Sequence, residues 1–122
     1  MFKSMLLFVA LISAVLFACC VQPLTPEEAS GDNNPPIINS LISDNLFIRV
    51  GETAKLTADA TDPERDALTY SWFVLLGDIR GNGSTVRYSA AYCCAGANNI
   101  TVTVKDSKGA SASKTITLYV NP

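Results

Sequence analysis

Histidine is absent from all 122 residues, and charge is sparse: 16% of the side chains carry one, nine basic against eleven acidic, for a formal net charge of −2. Without histidine the commonest general base, a Ser-His-Asp arrangement and histidine-containing zinc sites are all excluded. The composition speaks against an enzyme. A basic excess is missing too: from Ile37 onward eight acidic and eight basic side chains balance, and the acidic surplus sits at Glu27, Glu28 and Asp32. No nucleic-acid partner is expected from such a surface. There is one tryptophan and no internal repeat, and the length suits a single ordinary domain.

What is present begins with an apolar run. Lys3 precedes Met5 to Phe17, thirteen uncharged residues rich in Leu, Val, Ala and Phe, the charged-then-apolar layout of a secretory signal. Counted on to Val21 the run reaches seventeen residues before Gln22 and Pro23, at the short limit for a permanent span of roughly 17 to 25. It ends in Leu16-Phe17-Ala18-Cys19, which resembles the lipobox of bacterial lipoproteins, with Phe17 bulkier than usual. The resemblance implies a signal peptide over residues 1–18, a diacylglyceryl thioether on Cys19 and a further acyl chain on its freed amine. Membrane lipid, through Cys19, is then the first expected partner, and the bacterial cell envelope the expected location. Cys20 stands where an aspartate retains some lipoproteins at the inner membrane, which favours the outer membrane or the cell surface. A cleaved signal without lipid, or an uncleaved anchor helix, is the alternative.

Residues 19–36 read as the lipidated end and a flexible tether. Val21 to Pro36 holds four prolines, Ser30-Gly31 and Asn33-Asn34, with almost nothing apolar to bury. As a coil, those sixteen residues would span roughly 20 Å. The domain is expected over 37–122, where the hydrophobic period becomes two. Leu46, Ile48 and Val50 alternate with polar or outward residues, as do Ala54, Leu56, Ala58 and Ala60, then Leu68, Tyr70, Trp72 and Val74, then Val86 and Tyr88, then Ile100, Val102 and Val104, and last Ile116, Leu118 and Val120. Gly51-Glu52, Asp62 to Asp66, Asn82-Gly83 and Asp106 to Gly109 supply turns. Lys114 falls on the inward parity of the last strand, so that strand should start after it or carry a bulge. Short strands at regular spacing predict an all-β sandwich of two sheets, each giving one apolar face, with Trp72 on a central strand as the pin between them.

Val50-Gly51-Glu52-Thr53, Ala58-Asp59-Ala60-Thr61-Asp62-Pro63, Ala67 to Trp72, and Ile100 to Asp106 followed by Gly109 together resemble the bacterial immunoglobulin-like modules of the PKD type and their cadherin-like relatives. After Trp72 the usual Asp-Phe-Gly-Asp-Gly run is replaced by Phe73-Val74-Leu75-Leu76-Gly77-Asp78. The resemblance implies an immunoglobulin-like β-sandwich of two antiparallel sheets and about seven strands, and a non-catalytic module that either binds a surface protein or polysaccharide or acts as a structural spacer.

Three sets of residues are candidates for chemistry. Asp59, Asp62, Glu64, Asp66 and Asp106 could supply the hard oxygens that calcium takes. Their spacing is not that of an EF-hand loop, and the expectation is of turn aspartates pointing separately into water around Pro63, with no cofactor and no metal bound. Cys93-Cys94 has no cysteine to partner on the strand around Leu56. A vicinal disulfide, two free thiols and a bond to another chain all remain open, the ring being strained because adjacent Cα atoms lie about 3.8 Å apart. Tyr88, Tyr92 and Tyr119 could form a sugar-stacking surface, against the commoner role of packing in the core or at an edge.

Overall fold

The computed structural model describes residues 32–122, which form eight strands and one short 3-10 segment joined by turns and irregular connections. The signal segment, Cys19, Cys20 and the tether as far as Gly31 lie outside the described residues. The strands are β1 (Ile37–Ser43), β2 (Phe47–Arg49), β3 (Thr53–Thr61), β4 (Leu68–Val74), β5 (Asp78–Arg80), β6 (Thr85–Ser89), β7 (Gly96–Asp106) and β8 (Ser111–Asn121). One sheet runs β1-β3-β6-β5 and the other β2-β8-β7-β4.

The alternation predicted from the sequence is the packing of the two inner faces. Ala54, Leu56 and Ala58 of β3 and Val86 and Tyr88 of β6 meet Ile100, Val102 and Val104 of β7 and Leu118 and Val120 of β8, all buried. Removing each large aliphatic side chain from water stabilises the fold by roughly 1.5 to 3 kcal/mol. The alanines of β3 give little area but let the opposite sheet approach closely.

The molecule crosses between sheets inside what reads as one N-terminal strand region. Asn45 accepts at Oδ1 from the Phe47 amide, 3.0 Å, and Ser43 Oγ bonds the Asn45 carbonyl, 2.8 Å. This polar corner ends β1 in one sheet and starts β2 in the other, where β2 runs parallel to β8 with Phe47 opposite Tyr119. The other ladders are antiparallel. β5, an eighth strand, pairs with β6 across a turn containing Asn82-Gly83, where Gly83 takes φ +83°, a left-handed conformation that glycine adopts without steric cost.

Three expectations change. Trp72 lies on β4, the edge of its sheet, and is half-buried rather than central. It still joins the sheets, because its indole N–H donates to the Gly83 carbonyl at 2.9 Å. Lys114 neither starts the strand late nor forces a bulge: β8 begins at Ser111, Lys114 pairs in register with Val102, and its side chain is exposed. β2 covers only Tyr119 to Asn121 of β8, so Lys114 sits on an open sheet edge, where an inward-parity charge discourages pairing with other chains. The compact unit that holds the sandwich also starts at Asn33 rather than Ile37, because Asn33 and Asn34 hydrogen-bond to the domain and Pro36 is buried.

Candidate functional site

The register of β4 on β7 places Leu68 opposite Asp106, which brings the β3–β4 turn beside the β7–β8 turn. Asp62 Oδ2 accepts from the amides of Glu64 (3.0 Å) and Asp66 (2.9 Å), and Arg65 closes the turn in the left-handed region at φ 63°. Asp106 Oδ1 accepts from the amides of Lys108 and Ala110, both at 2.9 Å, and its Oδ2 accepts from Asn33 Nδ2 at 2.9 Å. Each aspartate folds its own turn, and the two turns meet.

Asp62, Asp66 and Asp106 consequently offer carboxylate oxygens all within 4.8 Å of one another. Asp59 stays apart, its Oδ2 facing Asn39 Nδ2 at 3.4 Å on the exposed side of β3. The expectation that Pro63 would turn the aspartates separately into water is thus corrected: the side-chain-to-amide bonds of Asp62 curl the turn inward. Burial pushes the Asp106 pKa up, but the bonds from Asn33 and from the amides of Lys108, Ala110 and Gly109 outweigh it, and the net direction is down. Lys108 Nζ, 3.4 Å from Asp66 Oδ2, offsets part of the charge. Asn33 Oδ1, Asp62 Oδ1, Glu64 Oε2 and Asp66 Oδ2 are buried oxygens that accept no hydrogen bond. An all-oxygen set of this kind fits a hard cation such as calcium and no soft one. Asn33 was missed in the sequence, where the polar pair before Pro35-Pro36 reads as tether.

The opposite end of the sandwich carries the thiols. Tyr92–Cys94 form a single 3-10 turn between β6 and β7. Cys93 is exposed, Cys94 is buried, and their sulfurs lie 3.0 Å apart. Asn98, one of few buried polar side chains, donates to the carbonyls of Cys94 (2.6 Å) and Gly96 (3.3 Å) and fixes the turn against β7. Its role has no signal in the sequence beyond its inward parity with Ile100. The shared hydrogen bond with Cys94 is the chief cause that pushes the Cys93 thiol up.

Of the two roles weighed for Tyr88, packing in the core is the one it takes, and it is fully buried. Its hydroxyl donates to the Leu76 carbonyl at 3.1 Å, and burial, with Cys94 and Cys93 beside it, pushes its pKa up to about 12. Tyr119 stacks on Phe47 across the parallel β2–β8 pair, centroids 5.3 Å apart. Tyr92 is 92% exposed and Leu75 82% exposed, both in loops at the thiol end. The three tyrosines therefore form no common platform.

The family profile for the bacterial Ig domain matches residues 33–119. The chain belongs to the bacterial Ig domain family. Among solved structures it is similar to the PKD1 domain of Vibrio anguillarum Epp, with 26% identity and a TM-score of 0.53, over 75% of this chain and all of that one. It is also similar in fold to part of a nucleoside hydrolase-related hypothetical protein from Saccharophagus degradans associated with carbohydrate metabolism: 18% identity, TM-score 0.61, covering 75% of this chain. The similar region is 27% of that protein's length. No curated protein sequence matches this chain. The Ig-like resemblance seen in the sequence thus holds over the described residues.

Proposed function

We propose that this protein is a lipid-anchored lipoprotein of the bacterial cell envelope, held through Cys19, that displays one Ig-like module for non-catalytic interaction with a surface protein or polysaccharide. The observation that carries the reading is the order of parts: an apolar signal ending in Leu16-Phe17-Ala18-Cys19, a proline-rich stretch, then a family module from Asn33 onward. One acyl chain anchors only marginally, whereas two or more make attachment stable. The outer membrane or the cell surface is the favoured location.

The polarity of the module supports display. The chain enters the sandwich at the acidic end, beside Asp106, while the exposed Leu75 and Tyr92 lie in loops at the other end. Apolar side chains left in water there are what a partner would cover. Detergent-phase partitioning tests the anchor: the parent chain should enter the detergent phase and Cys19→Ala should not. A mutant that still partitions and matures like the parent defeats the lipobox reading. Capture of a cell-surface component by residues 32–122, weakened in Leu75→Ser and Tyr92→Ala, tests the interaction. Capture that ignores both substitutions, or none at all, favours a structural spacer.

A further inference from the structure

Two sulfurs 3.0 Å apart, one exposed and one buried, form an asymmetric pair. A disulfide between neighbours closes almost no loop, so it gains little from restricting the unfolded chain, the usual source of disulfide stabilisation. Adjacent Cα atoms, about 3.8 Å apart, also fall short of the usual disulfide range of about 4.4 to 6.8 Å. Such a bond is a poor staple and an easily reduced one. The surroundings hold the pair in place nonetheless: Cys94 packs in the core cluster with Tyr88 and Ala90, and Asn98 grips its carbonyl.

We infer that Cys93 and Cys94 are a reversible thiol–disulfide exchange site, entered at Cys93 and resolved by Cys94, whose closure forms a ring across the Tyr92–Cys94 turn. The Cys93 thiolate attacks an incoming disulfide and expels one thiolate. The Cys94 thiol then loses its proton, attacks Cys93 Sγ and expels the second. The two protein thiols give up two electrons and two protons, and the external disulfide is reduced to two thiols. Burial of Cys94 makes the order one-way, since only Cys93 meets solvent. The ring forms next to exposed Tyr92, so it alters the end of the module that the proposed function assigns to recognition. Only the source of the disulfide in the cell rests on the envelope reading, and the exchange itself does not.

Trypsin separates the pair from the other cysteines, because the peptide Tyr88 to Lys105 holds Cys93 and Cys94 while Cys19 and Cys20 precede Arg49. The full chain in detergent, treated with glutathione disulfide and mapped by mass spectrometry, should yield that peptide lighter by two hydrogens and closed to iodoacetamide. Reduced glutathione should reopen it. Cys94→Ser should retain glutathione on Cys93, and Cys93→Ser should leave Cys94 unmodified. A parent peptide that stays alkylatable, cysteines that pair between chains, or Cys93→Ser that takes up glutathione as fast as Cys94→Ser, overturns the inference. Mapping of the parent chain decides it even where a variant folds poorly, and the Cys19→Ala partitioning result has no bearing on it.

Discussion

Gly77 lies under the ring of Tyr88. Its backbone takes φ +104°, a region that a side chain disfavours, and a Cβ there would run into the Tyr88 ring and hydroxyl. The ring cannot yield, because Tyr88 is fully buried and its hydroxyl is held by the Leu76 carbonyl one residue before the glycine. Gly77→Ala should therefore combine overpacking with backbone strain and cost about 2 to 3 kcal/mol, read as a lower midpoint in urea with an unchanged slope. An unchanged midpoint would mean the β4–β5 loop swings away freely. The burial of Tyr88 was legible in its shared parity with Val86. That Gly77 is the residue making room for it was not, since two positions eleven apart meet only after β5 folds back on β6.

At the scale of elements, the acidic turns show what spacing can and cannot reveal. Asp62 to Asp66 and Asp106 to Gly109 were legible as turns from their residue types. Their meeting depends on the β4–β7 register, which alternation leaves undetermined by steps of two. Two measurements probe the junction. The lowered pKa of Asp106 means that its carboxylate contributes stability fully above the ordinary value of 3.8, and that this contribution is lost as pH falls through the lower folded-state value. Asp106→Asn should therefore be less stable than the parent at pH 7, with the gap closing in acid below that window. A gap that persists unchanged at low pH would assign the loss to packing instead. The orphaned oxygens give the second: millimolar calcium should raise the melting temperature over chelator, since a cation that binds only the folded form stabilises it by mass action. Asp62→Asn should lose most of the rise. A parent chain indifferent to calcium would leave Lys108 as the cluster's counter-charge.

Across the whole molecule, the two-sheet architecture was readable because most strands alternate, and the inward residues of β3, β4, β6, β7 and β8 could be written down from parity, whereas β1, whose register shifts between Ile38 and Ser40, and the short β5 could not. The identity of the edges was not readable. β4 is as apolar as a central strand, with Trp72, Tyr70 and Val74 on one face, yet it closes its sheet, and only long-range pairing decides this. Trp72 nevertheless holds a position that matters for cooperativity, since it packs against both the larger cluster around Tyr88 and the smaller one of Ala58, Val102 and Val104. Its indole also reaches the β5–β6 hairpin of the other sheet. Trp72→Ala should cost roughly 3 kcal/mol, at the lower end for a large aromatic because the ring is only half-buried. Trp72→Phe, which keeps the ring contacts but leaves the Gly83 carbonyl without its donor, should cost about 1 kcal/mol. If Trp72 couples the clusters, calorimetric and van't Hoff enthalpies should agree in the parent and Trp72→Phe and diverge in Trp72→Ala. Agreement in all three would show that β3 and β7, each of which contributes residues to both clusters, are enough without the Trp72 ring to make the sandwich unfold as one unit.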